Sequence, residues 1–399
     1  MYDSLVGRTV TVQGMVSEDP DRDKQGNVVS RIDRIRVEDH ALEGVVWASF
    51  QTELAVKRGD MVVVKGTLGP GFGNVSATMY RAQVVKVARP VPGDIAGRMR
   101  DWFADKVRNV IPEPESSLGI GYVVGQRSAL PAELDSALKT VGLTHIVVAS
   151  GYNLTILVRL ARRLFEKISK YLSALAAGGM ILAFIAVTGA SPSMSRAGLV
   201  AGLSLLAWYY GRKFHPLVLL PLAAATTLLI RPSYGWNDLG WELSFAAFGG
   251  VMIVSPLMHR YFFGNKKPGS FRQIIGETLG AELMTLPLLV LAFGQFSNVG
   301  LVANVLVLPL VPLAMLLTFI SGIVSIVAPS LAGFIGTPTS WVLEYMVGVA
   351  QYLASIPWVR SEVTINAWMV IAYYLVLLAA CFYMWRKTKF NLRDTNIVE

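Results

Sequence analysis

Cysteine is nearly missing from this 399-residue chain. Its single example, Cys381, lies in an apolar run, so the chain can form neither an internal disulfide nor a cysteine metal site. Histidine is almost as scarce. His40, His145, His215 and His259 are scattered, with no HExxH and no histidine–aspartate cluster, which argues against a hydrolytic metal centre. No GxxxxGK[ST] occurs, so the chain brings no P-loop ATPase of its own. The opening MYDSLVGRTV lacks a basic stretch followed by an apolar core, the pattern of a cleavable signal. Charge is thin as well: 16% of residues are charged against 53% hydrophobic, a membrane-protein composition. The formal charge of +9 sits mostly in short loops beside apolar segments, where it reports orientation before it reports a polyanionic ligand.

What is present falls into two patterns. From Arg8 to Arg89 short runs rich in β-branched residues (TVTVQGMV, SRIDRIRVED, GVVWASF, DMVVVKGTL, TMYRAQVVKV) alternate with Gly, Asp, Asn and Pro. About five strands in about eighty residues predict a small closed barrel of the OB type over residues 1–92, with a β-sandwich as the alternative. Trp47, Phe50, Phe72 and Tyr80 are candidate stacking platforms for nucleic-acid bases; packing in or around the barrel is their ordinary role. Over residues 93–141 the apolar positions Ile95, Met99, Trp102, Phe103, Val107 and Val110 recur at helical spacing among basic and acidic residues. That spacing predicts an amphipathic helix lying at a membrane surface or packed against the barrel. A second amphipathic segment, Leu118 to Lys139, is broken by Gly125 and Pro131.

Residues 142–388 contain about nine apolar segments of spanning length, from Gly142–Leu160 to Ile365–Trp385, and predict a polytopic α-helical bundle. The eighth, Leu331–Ile356, is the weakest because it carries Thr337, Pro338, Thr339 and Glu344. Basic residues recur in alternate loops and in the tail 389–399, which places those loops and the C-terminus in the cytoplasm and the barrel outside. The first segment, GLTHIVVASGYNLTILVRL, is interrupted at mid-depth by Ser150, Gly151 and Asn153. A bilayer offers no water to unpaired backbone groups, so a helix broken there is buried in protein or lines a wet cavity. The break therefore points to a path for something polar. Arg196, Glu242, Glu277 and Glu282 are the clearest intramembrane charges, with Asp238 and Arg231 near an interface; pairing of Arg196 with Glu242 or Glu282, a substrate path and snorkelling all account for them. Ser150 five residues after His145 could suggest a hydrolase dyad, but no oxyanion donor is identifiable.

Four stretches in register, GLTHIVVASGYN, SMSRAGLVAGLSLLAWYYGRKFHPL, GWELSFAAFGGVMI and AELMTLPLLVLAFGQFSNVGLVANVLVLPLVPL, resemble the competence domain of the ComEC family from about Leu118 to Pro312. The β-rich segment before them resembles the OB domain that family holds outside the membrane. The resemblance implies a bacterial inner-membrane channel that takes up single-stranded DNA in natural transformation, without catalysis or cofactor. Its implied partners are membrane lipid, a cytosolic helicase-like ATPase, single-strand-binding proteins, an extracytoplasmic DNA receptor and a separate nuclease. It puts Ser150, Gly151 and Asn153 on the family's broken helix, Arg196 on its arginine-bearing segment, and Glu242, Ser244 and Phe245 on its Leu-Ser-Phe element; Glu282 joins them as a DNA-path candidate. Departures are Ser150 to Asn153 where the family reads Ser-Gly-Leu-His, and acids at Glu242 and Glu282 where it commonly has Gln. The helices that usually precede the OB domain and the C-terminal metallo-β-lactamase-like domain are not seen here. Ionised acids in a pore would repel phosphate. An ion- or proton-coupled transporter of a small anionic solute, with Glu242 or Glu282 titrating, and a membrane scaffold are the other classes that fit.

Overall fold

The computed structural model describes residues 2–22, 27–37, 40–51, 56–73, 75–90, 93–126, 130–147, 150–189, 192–212, 215–230, 238–264 and 269–390. Arg231 and residues 391–399 of the tail lie outside them.

Among the described residues seven strands form the N-terminal region: β1 (Thr9–Val16), β2 (Asp21–Arg22), β3 (Val28–Val37), β4 (His40–Leu42), β5 (Val46–Gln51), β6 (Met61–Phe72) and β7 (Val75–Ala88). Alternation drives the fold, since Val10, Val12 and Val16 of β1, Val46, Ala48 and Phe50 of β5, and Val62, Val64 and Leu68 of β6 all turn into one core. β1 pairs antiparallel with both β3 and β6, β6 with β7, and β3 with β5, whereas β5 and β7 run parallel. The pairings thus return to the strand they start from, in the order β1–β3–β5–β7–β6–β1. Gly14 makes the double pairing of β1 possible. It lies where the β1–β3 register shifts, and a Cβ there would come within 2.4 Å of the Ile32 side chain and 2.7 Å of the Asp33 carbonyl oxygen.

The helical region follows. Its elements are α1 (Ile95–Arg108), α2 (Glu115–Val124), α3 (Ala132–Val141), α4 (Thr144–Val147), α5 (Gly151–Glu166), α6 (Lys170–Thr188), α7 (Pro192–Tyr209) and α8 (Pro216–Ile230). Then come α9 (Leu239–Phe263), α10 (Ser270–Phe293), α11 (Gly300–Val327), α12 (Ala332–Ala354) and α13 (Ala367–Thr388). A π turn at Gly250–Val254 interrupts α9, and a 3₁₀ turn at Leu308–Leu310 interrupts α11 around Pro309. Strands β8 (Gln295–Ser297) and β9 (Arg360–Glu362) pair between the helices.

Among the described residues five helices are long and apolar enough to cross a membrane: α6, α9, α10, α11 and α13, with α8 a shorter apolar helix. The count is lower than the expected nine for physical reasons. The first apolar segment is divided between α4 and the 16-residue α5, α7 carries Arg196, and α12 is diluted by Thr337, Thr339, Ser340 and Glu344.

One core joins α1, α2, α3, α11 and α12 through Val107, Leu118, Val141, Val311 and Leu343, and another joins α5, α6 and α7 through Leu154, Ile181 and Ala197. Charged groups fasten the strand region to this framework. Arg58 bonds Asp94, the N-cap of α1, at 2.6 Å; Lys57 meets Asp101 at 2.6 Å; and Arg100, buried on α1, pairs with Asp19.

Candidate functional site

The interruption is built by one capping serine and one buried asparagine. Ser150 has extended backbone (φ −116°, ψ 160°), and its Oγ accepts from the Asn153 backbone N–H at 3.4 Å, starting α5. Asn153 is fully buried, and its Nδ2 donates to the carbonyls of Tyr122 (3.2 Å) and Ile146 (3.3 Å). Those carbonyls belong to the last turns of α2 and α4, where helices leave acceptors without intrahelical donors. Asn153 therefore splices three helix ends together and is packed in protein. Gly151 faces the other way. With Thr155 and Arg159 of α5, Ala197 and Ala201 of α7 and Phe248 of α9 it lines a hollow, and a Cβ on it would lie 3.1 Å from that of Ala197.

The remaining membrane-path candidates are distributed along α7, α9 and α10. Arg196 is 1% exposed, and its Nη2 donates to the Gly240 carbonyl at 2.8 Å in the first turn of α9. Asp238 caps the same turn by accepting from the Trp241 backbone N–H at 2.8 Å. Glu282 accepts from Asn304 Nδ2 of α11 at 2.8 Å. Arg196 and Glu282 thus bond different partners, a first-turn backbone carbonyl and a side-chain amide; pairing of Arg196 with Glu242 or Glu282 was one of the three accounts that the sequence left open. Glu242, Ser244 and Phe245 are half-buried on α9. Phe245 belongs to a ladder of rings, 4.6 Å from Trp241 and 6.4 Å from Phe248 between centroids, and Phe248 carries that ladder down to Gly151. Thr155, Arg159 and Phe248 were missed by sequence reasoning; the spacing of Gly151, Thr155 and Arg159 by fours on one helix face was the available signal.

On the strand region three of the four aromatic candidates come together. Tyr80 and Phe72 are 62% and 52% exposed, and Trp47 lies 5.1 Å from Tyr80 and 6.2 Å from Phe72 between ring centroids. Arg31 stands directly across from Trp47 in the β3–β5 ladder and pairs with Glu18 at 3.4 Å. Phe50 corrects the expectation. Its register places it on the inner face, where it is 0% exposed, so it cannot offer a face to a base. Among the described residues no three His, Cys, Asp or Glu side chains gather to hold a metal ion.

A family model described as "Competence protein" matches residues 122–387, a stretch that takes in the five long apolar helices but for Thr388. The chain is 27% identical over 229 residues to ComE operon protein 3 of Bacillus subtilis (strain 168), covering 56% of this chain and 28% of that protein. It is 24% identical over 233 residues to an uncharacterized protein of Aquifex aeolicus (strain VF5), covering 57% of this chain and 53% of the relative. The chain thus spans about a quarter and about half the length of these curated relatives. No solved structure matches it.

Proposed function

We infer, from the premise that this chain belongs to the competence protein family, that its helical region is a bacterial inner-membrane conduit for single-stranded DNA taken up in natural transformation. The family match over residues 122–387 carries the reading. The strand region acts as an OB-type barrel outside the membrane, an assignment supported by its closed ring of pairings with β5 and β7 parallel. Its ring trio, Trp47, Phe72 and Tyr80, receives bases by stacking. In the membrane α5, α7, α8 and α12 complete a bundle of about nine passes with the five long helices, with the basic loops and the C-terminus in the cytoplasm.

The passage runs along the hollow beside Gly151, where Thr155, Arg159 and the Phe248 ring offer a hydroxyl, a cation and a stacking face. In the closed form α5 touches α7 there, so passage requires α7 or α9 to move away. The chain works without chemistry of its own, and a cytosolic helicase-like ATPase with single-strand-binding proteins supplies the pull. An extracytoplasmic receptor delivers DNA, and a separate nuclease removes the other strand.

The test is transfer of a labelled single strand into proteoliposomes that contain the full chain and trap single-strand-binding protein inside. Accumulation above protein-free vesicles supports a conduit, and its absence with correctly inserted chain refutes it. The Glu282–Asn304 pair favours a second reading, proton- or ion-coupled transport of a small anion. Proton flux driven by such a solute in vesicles without nucleic acid would select it.

A further inference from the structure

The corner where α5 ends, α6 begins and α7 ends carries an unusual concentration of positive charge. Arg162, Arg163, Lys167 and Lys170 lie within it beside one acid, Glu166, and Arg212 follows α7. Arg162 is only 4% exposed, and its guanidinium lies 5.1 Å from the centroid of Trp208; Lys170 Nζ lies 5.6 Å from the same ring and 5.8 Å from Tyr209. The Ser173 hydroxyl donates to the Arg162 carbonyl at 2.8 Å and fixes the α5–α6 turn beneath them. A second cation beside the same indole raises the positive potential at the exposed Lys170, which favours an anion there.

The same corner is flanked by exposed apolar side chains: Leu160, Leu164 and Ile168 along α5 and its end, Leu175 on α6 and Leu206 on α7. Tyr171 and Tyr210 are exposed at the same level. A cationic cluster meeting a bare apolar stripe at a level marked by tyrosines has the chemistry of a membrane interface, with phosphate above and acyl chains below. A free phosphate would leave the leucines uncovered, and a nucleic acid would leave them in contact with sugar and charge.

We propose that the Arg162–Lys170–Trp208 corner is a binding site for one anionic phospholipid, with the headgroup phosphate on Lys167, Lys170 and Arg212 and the acyl chains along Leu160, Leu164 and Leu175. The site needs only that the helical region lie in a bilayer, and it stands or falls apart from the DNA conduit. Its consequence is mechanical. A lipid there anchors the end of α5 whose other end carries Ser150 and Gly151, so the bilayer fixes one end of the interrupted segment.

The test is native mass spectrometry of the full chain released from detergent micelles containing phosphatidylglycerol or phosphatidylcholine with the same acyl chains. A single retained phosphatidylglycerol, in preference to phosphatidylcholine, is expected. Lys167→Gln and Lys170→Gln, both at exposed positions, should each lower retention by about fivefold, the weight of one basic residue near an anionic headgroup. Arg386→Gln with Lys387→Gln, a basic pair stacked on the separate rings of Phe382 and Tyr383, should leave it unchanged. Equal retention of both lipids, or equal loss in the Arg386/Lys387 variant, overturns the proposal. Displacement of the lipid by millimolar inorganic phosphate or by a short single-stranded oligonucleotide also overturns it, because the surface is then a free-anion or a nucleic-acid site.

Discussion

Arg58, in the turn before β6, donates through Nη2 to the backbone carbonyl of Ala186 near the end of α6, at 3.1 Å. Its Nε meanwhile bonds Asp94 at 2.6 Å, so one side chain ties the strand region, the first turn of α1 and a long apolar helix together. Its cation sits where α6 runs out of intrahelical donors, the end at which the helix dipole favours positive charge. Gly189 leaves the room, since a Cβ there would lie 2.6 Å from Arg58 Nη1.

Arg58→Ala should loosen the docking of the strand region on the bundle without unfolding either, since Lys57–Asp101 and Arg100–Asp19 remain. Loss of the charged hydrogen bond to Asp94 and of that to Ala186 costs about 1.5–3 kcal/mol of docking. Limited proteolysis of the full chain would show faster cleavage between β7 and α1, with α1 to α13 retained as one fragment. A cleavage rate equal to wild type would mean that the latch contributes nothing.

The same interface should be acid-sensitive. Burial works to raise the carboxyls of Asp94 and Asp101, but hydrogen bonds from Arg58 and the Gly97 amide to the first, from Lys57 and Arg100 to the second, and the charges of those cations hold both below the usual range. A carboxyl whose value is lowered on folding stabilises fully above its unfolded value of about 3.9 and loses that stabilisation as pH falls through its folded value. Docking should therefore be constant from about pH 5 to 8 and weaken below about pH 4. Hydrogen exchange of the α1 amides against pH reads this directly, and Asp94→Asn should flatten the acid limb. Loosening that begins near neutrality would point to other groups.

The ring residues of the strand region should divide into two kinds. Phe50→Ala removes a wholly buried ring and should cost about 3–5 kcal/mol of stability. Tyr80→Ala and Phe72→Ala, both exposed, should leave stability nearly unchanged and weaken single-strand binding by the full chain by about 1–3 kcal/mol each. Fluorescence anisotropy with an oligonucleotide measures the second effect; unaltered affinity in both variants would reduce the trio to surface packing.

That division marks how far the sequence could be read. Alternation exposes the strands, because Val10, Val12 and Val16 must share a face, and helical spacing exposes α1 through Val107 and its neighbours. Phe50 and Phe72 look alike in one dimension; only the register decides that one lies inside the ring of strands and the other near its surface. The polar interruption at Ser150 was visible as chemistry out of place in an apolar run. Its resolution was not, because the acceptors that Asn153 satisfies are backbone carbonyls at the ends of α2 and α4, and carbonyls carry no sequence signature. Arg58 was unreadable for a related reason: it belongs to no periodic pattern, and its partners are 36 and 128 residues away.

Asn153→Leu should fail by a different route from Ser150→Ala. Leucine is bulkier than asparagine at this fully buried position and leaves the Tyr122 and Ile146 carbonyls without their side-chain donor, a penalty of about 1–3 kcal/mol for each buried acceptor left unsatisfied. Ser150→Ala removes only the cap and costs about 1 kcal/mol. Denaturation in detergent should rank the two in that order, and strand uptake should fall in proportion to stability in both. If Asn153→Leu lost uptake while keeping full stability, Asn153 would be acting in the path itself.

Gly280 should tolerate no side chain. It lies on α10 under the π turn of α9, and its Cβ would come 2.6 Å from the carbonyl oxygen of Gly250; the reverse substitution would bring a Cβ 2.1 Å from the Gly280 oxygen. That Gly250 oxygen is held in place because it accepts from Ser255 N–H across the wide turn, so the clash cannot be relieved by rotating a side chain. Gly280→Ala should push α9 and α10 apart at a cost of about 1–3 kcal/mol or more. Gly276→Ala is the control one turn away, since its Cβ meets only the Ser255 hydroxyl at 3.1 Å, which can turn aside. Because α9 also carries the Trp241–Phe245–Phe248 ladder and the Gly240 carbonyl that Arg196 bonds, a shifted α9 should lower strand transfer in Gly280→Ala and leave it intact in Gly276→Ala. Equal stability and equal transfer in the two variants would show that the close crossing is not what positions α9.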